Sequence, residues 1–429
     1  MGDDPIYARI DALAEALGEP MTAWRHDMHR HPELSNREAR TARKITEHLR
    51  SLNLDEVRTG IAGHGVVGVL RGGLPGDRVM ALRADFDALP VKETSGVDFA
   101  STVVDEDYPG GPFPVAHACG HDCHTAMLMG AASVLTQLKA ELPGTVLFVF
   151  QPAEEGPPLG EPGGAAQMEA EGALADPEPT MVYGHHVGPL PVGVIGYKVG
   201  NQYAASCTVR IVIHGKQVHG STPWEGIDPL PVAAEVITGC GQLYRQFPAS
   251  DPFTVTIGHV EDVGRFNIIG AQATLLGTIR ATVEKDMAGL QDAMRRMVAG
   301  YAQAHGAAAE VDFPVEIPAV HNEPAWVEAA LPTLRRVVGE DRAIAMEPGL
   351  GYDDVSVFVN KYGGLYVGLG CQEVELTPEG IVPVEGGRGM VFNHNPAFYA
   401  DDAVLPIGAR LHATVAVDHL TGRIQPAST

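Results

Sequence analysis

The feature that bears hardest on how this chain can fold is the way three short apolar runs end. Residues 79–82 (VMAL), 146–150 (VLFVF) and 181–183 (MVY) each give way to polar or ionisable side chains. Arg83 and Asp85 follow the first, Gln151, Glu154 and Glu155 the second, His185 and His186 the third. Runs this short suit fully buried strands, while residues 125–138 (TAMLMGAASVLTQL) are long enough for a buried helix. Their alternation predicts an α/β fold with a largely parallel sheet and helices on both faces. In open α/β sheets ligands gather beyond the carboxyl ends of strands, so the three polar segments can converge on one cleft.

The patterning changes near Asn201. Residues 207–213 (CTVRIVI) alternate as a strand. A glycine-rich turn, a helix at 231–244, strands at 253–257 and 273–281 and a helix at 287–305 follow. This β-α-β-β-α-like order predicts a smaller α+β domain inserted at residues 201–318. Residues 1–200 and 319–429, with a strand at 365–369, then form the two parts of the mostly parallel-sheet domain. A length of 429 residues suits two domains, and 45% hydrophobic content is ample for two cores.

The formal charge of −24 argues against nucleic acid and anionic membrane as partners, since both are bound chiefly through an excess of Lys and Arg. No uncharged apolar run approaches the roughly 20 residues a membrane helix needs. The opening MGDDPIYARIDALAEAL places Ile6, Ile10, Leu13 and Leu17 at helical spacing and begins with acid, so a secretory leader is not expected. Ile6 also breaks the myristoylation pattern. Five cysteines, an odd number, favour reduced thiols and a cytoplasmic location.

The densest group of metal-ligand residue types is HACGHDCH, residues 117–124. In an extended segment Cys119 and His121 project to one side, and a thiolate beside an imidazole suits zinc, manganese or cobalt. A satisfied core histidine cluster, or a helix capped by Asp122, is the plainer alternative. In QPAEEG (151–156) two adjacent carboxylates can divide the work, one holding a metal and the other taking a proton from water. Acidic doublets are usually solvated surface, but this one directly follows a buried run. Neighbours in an extended segment face opposite ways, so only one of His185 and His186 is expected to face the cleft. His394, in FNHNP, would close the site from the C-terminal part.

These motifs, with RHDMHRHPELS (25–35), RADFDALP (83–90), GHHV (184–187), GKQVHGSTP (215–223) followed by GIDP, and GTIR (277–280), occur in order along nearly the whole chain. Together they resemble the metallo-amidohydrolases that include hippurate hydrolase, aminoacylases and indoleacetyl-amino-acid hydrolases, subfamily D of peptidase family M twenty. The resemblance implies a catalytic domain interrupted by a dimerisation or lid domain, a homodimer, and two divalent ions per subunit. Manganese is the first expectation, with zinc, cobalt and nickel as alternatives. Residue by residue, it implies metal ligands at Cys119, His121, Glu155, His186 and His394 and a general base at Glu154. His219 matches a histidine that reaches a neighbouring active site to steady a developing oxyanion. Asn267 and Arg280 match positions beside the carboxylate of a small-molecule substrate.

Departures from the family pattern cluster around the substrate. Pro223 is followed by Trp224 in place of His, Asn267-Ile268-Ile269 ends in Gly270 in place of Pro, and Asp353-Asp354-Val355 stands for Glu-Asp-Phe. The loop after Glu155 is lengthened (GPPLGEPGG). Trp224 offers an aromatic face to a flat acid, with packing at the domain edge equally open. The expected reaction is hydrolysis of an N-acyl or N-aroyl amino acid. Removal of an amino group from an activated aromatic acid is the first alternative, and a catalytically inactive binding member the second.

Overall fold

The computed structural model describes residues 5–378 and 380–426; the acidic opening at Asp3 and Asp4 lies outside them. The chain forms two compact units. The first runs to Gly200 and resumes at His321–Glu347 and from Asp354 onward; the second comprises Asn201–Val320 and Pro348–Asp353. Inclusion of the short Pro348–Asp353 segment is a feature that patterning did not suggest.

The first unit opens with α1 (Pro5–Ala16), α2 (Gly18–Arg30) and α3 (Ala39–Ser51), then β1 (Glu56–Ile61), β2 (Gly65–Arg71), β3 (Leu74–Asp85), α4 (His121–Gln137), β4 (Pro143–Gln151), β5 (Met181–Pro191) and β6 (Ile195–Tyr197). The second unit holds β7 (Ala205–His214), α5 (Pro229–Cys240), β8 (Phe253–Asp262), β9 (Gln272–Ala281), α6 (Asp286–Ala304) and β10 (Ala308–Asp312). The chain returns to the first with α7 (Pro324–Val338), β11 (Ala343–Ala345), β12 (Gly364–Gln372) and α8 (Val404–Leu420).

The large sheet of the first unit has the order β1-β2-β4-β3-β5-β12-β6-β11. Its centre, β4-β3-β5-β12, is parallel throughout. The joins of β1 to β2, β2 to β4 and β12 to β6 are antiparallel. Central parallel strands are covered on both faces, which is why VLFVF reads as a continuous apolar run and not as alternation. The strands outlast those runs. β3 carries Arg83 and Asp85, paired across the ladder with Val149 and Gln151, and β5 carries both His185 and His186. Charge is tolerated in β3 because the buried Arg83 guanidinium donates to Asp85 at 2.7 Å.

Helix α4 is buried on every side from His121 to Leu135, as a helix without a polar face must be. It packs against α2, α8 and β3. Its N-terminus therefore has a fixed position at the carboxyl end of the sheet. The second unit is an antiparallel sheet in the order β8-β9-β7-β10, with α5 and α6 closing a core of Val209, Ile211, Val236, Leu275 and Met294. The helix expected at 231–244 ends at Cys240, where Gly239 and Gly241 weaken it, and residues 243–246 form a separate tight turn. Among the described residues no helix is long and apolar enough to cross a membrane.

Candidate metal centre

The chain forms a turn at Cys119, and Gly120 follows with φ +87° before α4 begins at His121. The expectation that Cys119 and His121 alternate along an extended segment is therefore corrected. The left-handed glycine swings the thiol and the imidazole to the same place, a conformation that costs glycine nothing.

His121 is buried, and its Nδ1 faces Asp87 Oδ1 at 3.2 Å. The Nε2 atom has no hydrogen-bond partner among the described residues and lies 3.9 Å from both Glu154 Oε2 and Glu155 Oε1. A carboxylate on one ring nitrogen with the other aimed into a carboxylate cluster is how metal-binding histidines are oriented. Burial opposes charge on this ring, but Asp85 and Asp87 outweigh it and push its pKa up to about 10.

Across the cleft, His186 directs Nε2 to within 3.4 Å of Cys119 Sγ, while its Nδ1 lies 2.8 Å from the carbonyl of Val187. His185 points the other way, into the core against Met127 Sδ at 3.2 Å and the His412 ring. The C-terminal loop is fastened by one backbone bond and by the side-chain amide of Asn393. His394 N–H donates to Ala118 O at 2.8 Å, and the Asn393 amide donates to the carbonyls of Cys119 and Val187 at 3.0 and 3.1 Å. With φ +68°, His394 turns its Nε2 to 3.1 Å from Glu155 Oε1.

The six side chains expected at the centre are thus brought together. Ligand atoms of Cys119, His121 and His186 lie within 4.8 Å of one another, as do those of Cys119, Glu155 and His394, and those of His121, Glu154 and Glu155. A further group, Asp85, His121 and His124, meets the same distance test. It fails as a metal site on hydrogen bonding. His124 Nε2 accepts the Val187 N–H at 2.8 Å, so its Nδ1 carries the proton given to Asp85 at 2.5 Å, and no lone pair is left for a cation. Burial holds His124 down to about 4, in its neutral form.

The donor set fits divalent cations. Burial, with Glu155 and Glu154, raises the Cys119 thiol well above its usual range. A cation would favour the thiolate, which is the ligating form. Burial would likewise raise the Glu155 carboxyl, yet His394 and His121 hold it below the usual carboxylate range. Thiolate, imidazole and carboxylate are the ligands of borderline metals.

Patterning placed Arg83, Asp85 and Gln151 near the cleft but gave them no role, and it missed Asp87; these residues hold the set in place. Asp87 takes the Ser35 hydroxyl at 2.7 Å and the Glu155 N–H at 3.0 Å. Arg83 donates to Gln151 at 2.9 Å as well as to Asp85, and Gln151 donates to Asp354 at 2.6 Å. The signal was present in RADFDALP, where charges alternate within an apolar strand, a pattern that requires buried partners.

The other expected residues lie in the second unit. Val218–His219 pairs with Ile268–Ile269, and Gly220 N–H donates to Asn267 O at 2.9 Å. His219, Trp224 and Asn267 are all exposed. Ser221 N–H donates to His219 Nδ1 at 3.1 Å, which leaves the proton of the neutral ring on Nε2. The Arg280 guanidinium lies over the Tyr352 ring, 4.0 Å from its centroid.

An α/β sheet that gathers a thiol, three imidazoles and two carboxylates at its strand ends defines a metal-dependent hydrolase centre. The family model described as Peptidase family M20/M25/M40 matches residues 81–418, and the chain belongs to that family. It is 35% identical over 398 residues to thermostable carboxypeptidase 2 of Saccharolobus solfataricus, covering 92% of this chain and 93% of that one. It is 33% identical over 400 residues to N-acetylcysteine deacetylase of Bacillus subtilis, covering 92% and 95%. Among solved structures, the Bacillus subtilis YXEP protein, described as a dinuclear metal binding peptidase, superposes with a TM-score of 0.72 at 32% identity, covering 95% of this chain and 99% of that chain.

Proposed function

We propose that this protein hydrolyses the amide bond of a small N-acyl or N-aroyl amino acid at a centre of two divalent ions. The observation that carries this reading is the shared corner at Cys119. One triad, Cys119–His121–His186, and another, Cys119–Glu155–His394, meet at a single thiol, which suits two neighbouring cations. Manganese is the first choice of metal, with zinc, cobalt and nickel as alternatives. When bound, the ions supply Lewis acidity to the attacking water and to the carbonyl. Glu154 takes the water's proton and passes it to the departing nitrogen.

His219 donates its Nε2–H to the oxygen that gains charge, in the active site of a partner subunit, so the working form is a homodimer. Asn267 and Arg280 hold the substrate carboxylate, where a guanidinium provides a two-pronged donor. Trp224, 76% exposed, offers its face to an aromatic acyl group. That exposure also favours the second reading, release of an amino group from an activated aromatic acid. All five cysteines are buried free thiols, in keeping with a cytoplasmic location.

The test pairs a substrate screen with one substitution. Wild-type protein loaded with manganese, cobalt or zinc should release amine from N-acyl amino acids or aroyl-glycines; turnover confined to amino-substituted aromatic acids overturns the amide reading. Glu154→Gln should keep its metal content by elemental analysis and lose about 100-fold or more in kcat. A near-normal rate removes Glu154 as the base.

A further inference from the structure

We infer that Glu38, in the segment after the N-terminal HPELS motif, is a positioning residue for Glu154; this rests on the reading of Glu154 as general base. Glu38 is completely buried. One carboxylate oxygen, Oε1, accepts the backbone N–H of Ala153 at 2.9 Å. Ala153 directly precedes Glu154 and adopts φ +54°, a left-handed conformation in which its Cβ is strained. Nothing in an alanine side chain favours that conformation. Some other group must hold it, and the Glu38 carboxylate accepts the one amide whose direction the strained φ sets.

The consequence lies in where consecutive carboxylates point. Pro152 fixes the backbone on one side, and Glu155 is tied by its own N–H to Asp87 at 3.0 Å on the other. Between these anchors, the φ of Ala153 decides how the Glu154 carboxylate is presented. Were Ala153 to relax to negative φ, Glu155 would stay anchored while Glu154 moved, and the metal ligands would survive without a correctly aimed base. A displacement of about 1 Å at such a group costs on the order of 100-fold in rate. Ser35 and Glu38 thus grip the two sides of the PAEEG turn, Ser35 through Asp87 and Glu38 through Ala153.

The role depends on one acceptor oxygen and not on charge, so the two simplest substitutions should part. Glu38→Gln keeps that oxygen and should hold kcat within about threefold of wild type. Glu38→Ala removes it and should lower kcat by about 10- to 100-fold, with KM and metal content unchanged. Glycine takes positive φ without strain, so adding Ala153→Gly to Glu38→Ala should restore a substantial part of the lost kcat. A residue that merely stabilised the fold would not be rescued at position 153.

Failure of Glu38→Gln together with Glu38→Ala, or absence of any rescue by Ala153→Gly, overturns the positioning role. So does loss of metal in step with loss of rate. Should Glu38→Ala fail to fold, Glu38→Gln and Ala153→Gly in an otherwise native chain still decide: both should stay active, and loss of turnover in either refutes the inference. The Glu154→Gln variant separates the two readings. If it loses turnover while Glu38→Ala does not, only the positioning role falls; if it keeps turnover, the base assignment itself falls.

Discussion

Beside the candidate metal centre, Arg25, His29 and Asp122 form a second buried group of charges. Asp122 Oδ2 receives Arg25 Nε at 3.0 Å and His29 Nδ1 at 2.8 Å, while His29 Nε2 reaches Glu93 at 3.0 Å. Burial disfavours charge on His29, but Asp122 and Glu93 prevail and its pKa rises to about 9. Because this value lies above the ordinary histidine range, the linked stability is complete below about pH 6.5 and disappears as pH rises through about 9. His29→Gln should therefore be less stable than wild type by on the order of 1–3 kcal/mol at pH 6, with the gap narrowing by pH 9.5. Denaturant melts at the two pH values decide, and a gap that stays constant excludes the charged form. The motif RHDMHRHPELS announced none of this, because a histidine between two carboxylates far along the chain is not written in local spacing.

At the scale of elements, the turn between Cys119 and α4 is the most demanding joint. A Cβ on Gly120 would sit 2.4 Å from Val187 Cγ2 and 3.4 Å from Phe398, in a conformation already strained for any side chain. Gly120→Ala should cost about 2–4 kcal/mol of stability and lower metal content, since His121 would have to shift. Thermal melts with metal analysis check it, and retained stoichiometry at unchanged Tm would show the joint to be forgiving. The central strands of the large sheet and helix α4 were legible because their apolar runs are buried on both faces, as VLFVF in β4 illustrates, whereas β7 of the second unit was legible from alternation. The ends were harder. Residues Arg83 to Asp85 and His185 to His186 lie just past the apolar runs, where polarity hides how far each strand extends, and ladder pairing continues through them. The arrangement of Cys119 and His121 was read as alternation in an extended segment, whereas a glycine with positive φ produces it, and φ is not visible in spacing. Glu38 has a backbone amide as its partner, which no side-chain motif records, and Asp87 joins Ser35, His121 and the Glu155 amide, groups far apart in sequence.

At the scale of the whole molecule, the first unit has a large core independent of the centre, running from Ile10 and Met21 through Leu82, Phe148 and Leu135 to Leu411 and Val415. Chelation should accordingly abolish turnover while leaving a cooperative unfolding transition, with Tm lowered because carboxylates crowded around His121 lose their counter-charge. Calorimetry of chelated and reloaded protein checks this; collapse of the transition would mark the metals as structural. The order in which the centre is assembled has a further consequence. Its side chains come from residues 119–121, 154–155, 186 and 394, and the loop bearing His394 is fastened to the earlier segments by Asn393. During synthesis the nascent chain can present four of the five proposed ligands long before the last emerges. If this centre holds the two proposed ions, their secure capture falls at the end of biogenesis, after the C-terminal segment has docked, and chains that stop short would remain metal-poor and inactive.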